Sequence, residues 1–332
     1  MPSSTSDHRF EIPAAPSPRV PASAPAPGRR YCLISPCRDE EATLERTLRC
    51  VAAQTLPPAL HVVVDDGSTD RTQEILARLA KEMPFLRVVL RADRGKRSVG
   101  PGVIEAFYAG LESIRVTDFD YICKLDVDLD LPPRYFETLV ERMERDPRIG
   151  ALSGKPFFHP AAIESAALVP EPCGDDICVG MAKFYRRECF EAVGGFVRAV
   201  MWDGIDAHTS RMLGWKNLAL GDESLRFVHL RPMGSSDKSV YKGRVRWGQG
   251  QYFMGTSFLY LLASAVNRIA TPPAVLGSLC MIYGWCEAWF HARPRYGTPE
   301  FRAFLRRYQW LALTRGKTRA CELVLGNRQN PE

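Results

Sequence analysis

Ten cysteines are present, yet none falls in a Cys-x-x-Cys pair, and no Cys/His cluster has zinc spacing. Those absences argue against a disulfide framework and against a thiolate metal site. Cys32, Cys50 and Cys123 lie in apolar segments, where a free cysteine behaves as a small hydrophobe. Buried thiols fit a reducing compartment, so the chain is expected in the cytoplasm or at the cytoplasmic face of a membrane. The N-terminus has no apolar run like the core of a secretory signal. Residues 1–28 are instead dense in Pro, Ala and Ser and are read as a disordered tail, because they cannot bury enough surface to offset their ordering entropy. Basic and aromatic residues are not interleaved as in a nucleic-acid surface, so no nucleic-acid partner is expected. No uncharged stretch reaches the roughly 20 residues of a spanning helix. Tyr252 to Val266 has 15 and Ile269 to Cys286 has 18, and Pro272 and Pro273 shorten the second.

The chain does have enough apolar residues for a real core, at 45% of 332. Its formal net charge of +6 is matched by the tail alone, where His291 to Glu332 holds nine Lys or Arg against three acids. A localised basic tail suits an anionic surface such as phospholipid.

Strand and helix patterns alternate over the first half. Apolar runs at Tyr31–Ser35, Leu60–Val64, Leu86–Leu90 and Tyr121–Leu125 predict strands. Helical spacing predicts helices over Asp39–Ala53, with Asp39, Glu40 and Glu41 at its start, and over Thr69–Glu82 and Val103–Ile114. This alternation implies an α/β fold, a mostly parallel sheet flanked by helices, with ligands beyond the carboxyl ends of the strands. The second half is less regular: a strand at Gly180–Tyr185, helices at Arg186–Ala192 and Asp203–Leu213, and short strands at Trp215–Leu220 and Leu225–Leu230. The expected organisation is a tail at 1–28, a catalytic domain at 29–250 and an apolar helical, basic region at 251–332.

Two acidic clusters fall at strand ends. In Lys124-Leu125-Asp126-Val127-Asp128, the acids sit at i and i+2, so on an extended segment both point one way and could share one cation. Hard oxygen donors suit Mg²⁺ or Mn²⁺. In Val64-Asp65-Asp66-Gly67-Ser68-Thr69-Asp70, a strand delivers two acids onto a Gly turn. There Asp66 could accept from a base or ribose, while Ser68 or Asp70 caps the helix.

These motifs, with Ser35-Pro36-Cys37-Arg38-Asp39-Glu40-Glu41 ahead of them, resemble the family 2 inverting glycosyltransferases in order and spacing over about residues 30 to 230. The resemblance implies a Rossmann-like nucleotide-diphospho-sugar transferase fold. It implies that Pro36, Arg38, Glu40 and Asp66 line the nucleoside pocket and that Asp126 and Asp128 hold the metal on the donor diphosphate. Gly95-Lys96-Arg97 resembles a Gly-Lys segment that lies near the donor. The family's general base is a carboxylate in a Glu-Asp motif. Here Trp202 stands in place of the Glu, leaving Asp203, the favoured candidate, and Asp206, one helical turn on and on the same face. His229 is a candidate third metal ligand. Lys242-Gly243-Arg244-Val245-Arg246-Trp247 is similar to a Gln-x-x-Arg-Trp motif of processive synthases, with Gly243 in place of Gln. That departure, with only two apolar stretches, argues against a polymerising synthase, while Arg244 and Arg246 remain candidates to meet the diphosphate.

The expected partners are a nucleotide-diphosphate sugar, an acceptor sugar or lipid-linked glycan, and a membrane surface met by a re-entrant or interfacial helical pair. The alternative to that pair is ordinary core packing or a dimer interface. A nucleotidyltransferase on a similar fold would need a Gly-rich phosphate loop, and none follows Leu33-Ile34-Ser35. An inactive binding scaffold would have eroded acids, yet Asp66, Asp126, Asp128 and Asp203 are all present.

Overall fold

In a computed structural model the described residues are 28–93, 95, 100–160, 167–231, 239–270 and 273–326. The tail read as disordered lies outside them except for Gly28, and so does Lys96.

β1 (Tyr31–Cys37), α1 (Leu44–Ala52), β2 (Leu60–Asp65), α2 (Thr72–Glu82), β3 (Leu86–Leu90), α3 (Pro101–Glu112) and β4 (Tyr121–Leu125) alternate as the apolar runs predict. β5 (Leu129–Asp130), α4 (Tyr135–Arg145), β6 (Ile149–Gly154), β7 (Pro156–Phe158), β8 (Val169–Pro170), β9 (Ala182–Arg186) and α5 (Arg187–Val193) follow. After them come α6 (Trp202–Met212), β10 (Lys216–Leu220) and β11 (Phe227–His229). Seven strands form one sheet in the order β10-β6-β9-β4-β1-β2-β3. Pairing is parallel except where β9 runs antiparallel to both β4 and β6. β1 shows why the strands read as continuous apolar runs. Tyr31 and Leu33 enter the core under α4, whereas Cys32 and Ile34 enter the core under α3 and α5. Both faces of the sheet are covered at β1, so apolar residues dominate on both.

α1 begins at Leu44, five residues later than the helical spacing suggests. Asp39 takes a positive φ of 53°, and its carboxylate accepts from the Thr69 amide at 2.8 Å. Glu41 accepts from the Arg71 amide at 3.1 Å. These acids therefore tie the β1 loop to the β2 loop instead of opening α1. Gly67 is required in that second loop. Its φ is +77°, and any Cβ there would run into the backbone of Asp93.

The remaining helices are α7 (Val240–Met254), α8 (Phe258–Asn267), α9 (Ala274–Phe290), α10 (Pro299–Arg315) and α11 (Lys317–Gly326). The boundary expected after residue 250 falls inside α7. The uncharged stretch Tyr252–Val266 is not one helix, because Gly255, at φ +95°, ends α7 and Ser257 caps α8. α7 and α9 lie against each other at Gly248 and Gly284, where a Cβ would strike the carbonyls of Met281 and Val245. α10 packs on α6 and the end of α7 through Phe301 and Leu305 against Ile205 and Met254. That part of the C-terminal region is ordinary core. No helix among the described residues is long and apolar enough to cross a membrane.

Candidate active site

The carboxyl ends of β1, β2 and β4 open on one crevice of about 910 Å³, whose wall includes Pro36, Arg38, Glu40, Asp66, Asp126 and Asp128. The two neighbouring acids after β2 do different work. Asp65 is fully buried and accepts from the Ser68 amide, the Ser68 hydroxyl and Gln73, so it holds the turn together. Asp66 faces the crevice and accepts from Arg91 at 2.8 Å. Arg38 donates to the Asp66 carbonyl at 2.8 Å and to Asp93 at 2.7 Å, while its buried Nε has no hydrogen-bond partner. Asp70 accepts from the Thr72 amide at 2.9 Å and closes the turn ahead of α2, whose N-cap is Arg71.

β11 lies antiparallel beside β5, with His229 opposite Leu129. This pairing brings His229 Nε2 to 3.5 Å from Asp128, and Nδ1 lies 3.1 Å from Glu171. Burial would lower the imidazole pKa, but the hydrogen bonds and charges of Asp128 and Glu171 outweigh it and raise the value to about 9. His229 is thus held between two carboxylates, beside Asp128. Arg231 bridges Asp128 at 2.9 Å and Glu40 at 2.7 Å. Burial pushes the Asp128 carboxyl up, but His229 and Arg231 together hold it below the usual carboxylate range.

The residues present fit a divalent cation. Asp128 Oδ1 is buried with no hydrogen-bond partner, and Asp126, a third exposed, stands beside it and pairs with Lys124. Among the described residues, no three His, Cys, Asp or Glu side chains converge as a complete metal cage. A cation shared with a diphosphate does not need one, since one or two carboxylates plus phosphate oxygens suffice.

Asp203 and Asp206 do not both reach the crevice. Asp203 lines it from the first turn of α6. Asp206 is 2% exposed beneath it, 2.6 Å from the fully buried Lys183 and hydrogen-bonded to Tyr185. Helical spacing gives neighbouring positions, but β9 covers one of them with a lysine and a tyrosine. Trp202 also lines the crevice and lies 5.4 Å below the ammonium groups of Lys124 and Lys183, which face each other across β4 and β9. Each lysine is matched by a carboxylate, Asp126 or Asp206.

The far wall comes from the C-terminal helices. Arg246 and Trp247 of α7 line it, with Tyr260 of α8, Arg268 just after α8 and Lys317 of α11. Arg244 is not on the lining but beside Gly277 of α9. Sequence reasoning missed Lys124, Arg91, Glu171 and Arg231. Lys124 and Arg231 were accessible to it, because each sits at i±2 from a residue already singled out on extended chain. Glu171 carries no such signal, and it reaches His229 only through the small sheet β5-β11-β7-β8.

Residues 32–159 match the model of the family described as glycosyl transferase family 2. The resemblance to family 2 glycosyltransferases holds. The chain is 30% identical over 236 residues to a poly-beta-1,6-N-acetyl-D-glucosamine synthase of Staphylococcus epidermidis, covering 64% of this chain and 52% of that protein. The enzyme of the same name from Staphylococcus aureus strain COL is 30% identical over 122 residues, covering 36% of this chain and 27% of that one. The chain thus spans about a quarter to a half of the length of these curated relatives. Among solved structures, S. aureus TarS 1-349 in complex with UDP-GlcNAc superposes with a TM-score of 0.53 at 14% identity, covering 90% of this chain and 92% of that one. GalNAc-T7 with UDP, GalNAc and Mn²⁺ gives 0.54 at 13% identity, covering 86% and 57%. Likeness at such low identity concerns the fold, and the fold is that of the nucleotide-diphospho-sugar transferases, with a helical C-terminal region.

Proposed function

We propose that the protein is an inverting, metal-dependent glycosyltransferase of polysaccharide or glycolipid assembly, acting at the cytoplasmic face of a membrane on a sugar or lipid-linked acceptor. The observation that carries this reading is the meeting of Asp66, Asp126 and Asp128 from separate strand ends in one crevice, with Asp203 on the same wall system. Arg38, Glu40 and Asp66 take the nucleoside side of the donor. A divalent cation on Asp126 and Asp128 would neutralise the charge that develops on the departing diphosphate. Asp203 accepts the proton of the acceptor hydroxyl. That oxygen then forms its bond to the anomeric carbon as the carbon's bond to the diphosphate oxygen breaks, with inversion. Arg246, on the far wall, is placed to meet the released charge.

The test is to incubate the full chain with a panel of nucleotide sugars, with and without Mn²⁺, and to measure free nucleotide diphosphate. UDP-GlcNAc comes first, because a synthase of N-acetylglucosamine polymer and a UDP-GlcNAc complex are among the relatives. Metal-dependent release from one donor is expected. Binding without release from any donor would favour an inactive scaffold instead.

A further inference from the structure

α9 carries two apolar stripes and uses only one. Gly277, Met281, Gly284, Trp285 and Ala288 are buried against neighbouring helices. On the other side Leu276, Leu279, Tyr283 and Phe290 recur at spacings of three, four and seven, which is a single line along a helix, and they are 58, 53, 63 and 80% exposed. A helix on a water-facing surface would be polar there. α8 packs on both α9 and α10 and continues the face with Leu259 and Val266, 55 and 67% exposed. Trp310 of α10 adds an aromatic ring that is 60% exposed. The apolar surface that α8 and α9 expose exceeds the scattered residues normal on a soluble monomer.

The charge of the segment that carries it has one sign. Residues 239–326 hold twelve Lys or Arg against three acids. Of those acids, Glu287 pairs with Arg293 and Glu322 with Arg319. On α10, Arg306 and Arg307 lie one turn before Trp310 and are exposed. A second copy of this chain would bring the same positive charge to the contact, whereas an anionic bilayer complements it. Tyr283 and Trp310 suit the headgroup level.

We propose that the exposed face of α8 and α9, edged by Trp310, rests in the interface of an anionic phospholipid bilayer and that the acceptor reaches the crevice from that bilayer. The helices lie on the membrane and do not span it. α8 turns Tyr260, Ser264 and Asn267 to the crevice while Leu259 and Val266 face outward, so one helix separates the reaction from the lipid. The docking rests on the surface alone, and the lipid-linked acceptor rests in addition on the glycosyltransferase reading.

The test is co-sedimentation of the full chain with vesicles of phosphatidylcholine, alone or mixed with phosphatidylglycerol, together with light scattering for oligomeric state. Binding to the anionic vesicles should exceed binding to the neutral ones by roughly tenfold or more and should survive high salt in part. The double variant Leu279→Glu, Tyr283→Glu should lose roughly tenfold or more of that binding. Its melting temperature and its release of nucleotide from soluble donor should not change, since both side chains are mostly exposed. Failure of the parent to bind vesicles, or equal binding by the variant, overturns the proposal. So does a parent dimer that the variant converts to monomer without any vesicle binding. Vesicle binding without donor turnover would sink the enzymatic reading and leave the docking surface standing.

Discussion

The two walls of the crevice are built by different physics. The wall from β1, β2, β4 and β11 is acidic and made of strand ends, so sheet topology aims its side chains. Each of its acids is countered: Asp66 by Arg91, Asp126 by Lys124, and Asp128 by Arg231 and His229. The wall from α7, α8, α10 and α11 is basic toward the crevice and apolar on its outer side, and it owes its position to helix packing. The contrast implies that damage to the first wall should remove chemistry and leave the fold, whereas damage to the second should loosen the fold and reach the chemistry indirectly.

The largest effect expected on the first wall comes from Asp128→Ala. Loss of one of the two carboxylates that would hold the cation on the diphosphate should lower turnover roughly a thousandfold. Arg231 keeps Glu40 as a partner, so the melting temperature should fall by only a few degrees, roughly. EDTA should depress the wild type to a similar extent. Full turnover in EDTA would break the assignment of this wall to a metal-held donor.

α6 lets the comparison be made within a single helix, three residues apart. Asp203→Asn should keep donor affinity, because the amide preserves the shape, and lose roughly a hundredfold in turnover. Asp206→Ala should do the opposite in kind. It strands Lys183, which has no exposed surface, and removing one partner of a buried ion pair costs about 3–5 kcal/mol. In a chain of this size that lowers the melting temperature by roughly 10 °C. A stable but inactive Asp206→Ala protein beside an active Asp203→Asn protein would reverse the roles.

The same contrast accounts for what the sequence could say. The run Tyr121–Leu125 coincides with β4, buried on both faces, and the run Leu86–Leu90 with β3, the edge strand, where Arg87 and Leu90 are exposed; both are short runs closed by turns. The position of Asp66 followed from the run that forms β2, and those of Asp126 and Asp128 from the run that forms β4. α7 was not legible: Lys242–Trp247 looks like a solvated basic loop, and it is helical because Gly248 and Gly284 let two backbones approach, a contact that no local pattern records. The burial of Asp206 was hidden for a related reason. Helical spacing gives its angle on α6, but only the pairing of β9 with β4 brings Lys183 and Tyr185 beneath it. Motifs set at strand ends could be read, whereas partners supplied by distant packing could not.

The smallest effect tests where the two walls join. Asp176 lies on the side of the sheet, 6% exposed, and accepts from Tyr308 of α10 at 2.7 Å, with Lys317 of α11 at 3.5 Å and Arg211 of α6 at 3.8 Å. Burial opposes its charge, but Lys317, Arg211 and the Tyr308 hydroxyl outweigh burial and hold its carboxyl below the ordinary range. A carboxylate depressed in the folded state contributes stability that is present above the unfolded value, near 4, and is lost as pH falls through the lower folded value. Asp176→Asn should therefore cost about 1–2 kcal/mol at pH 7, roughly 3–6 °C in melting temperature. The gap between the two proteins should close as pH is lowered through the depressed folded value, where the wild-type carboxylate is protonated as well. Hydrogen exchange should rise first in α10 and α11 of the variant at neutral pH, because those helices lose their charged anchor. A gap that stays constant down to acid pH would mean that Asp176 joins the walls by shape and not by charge.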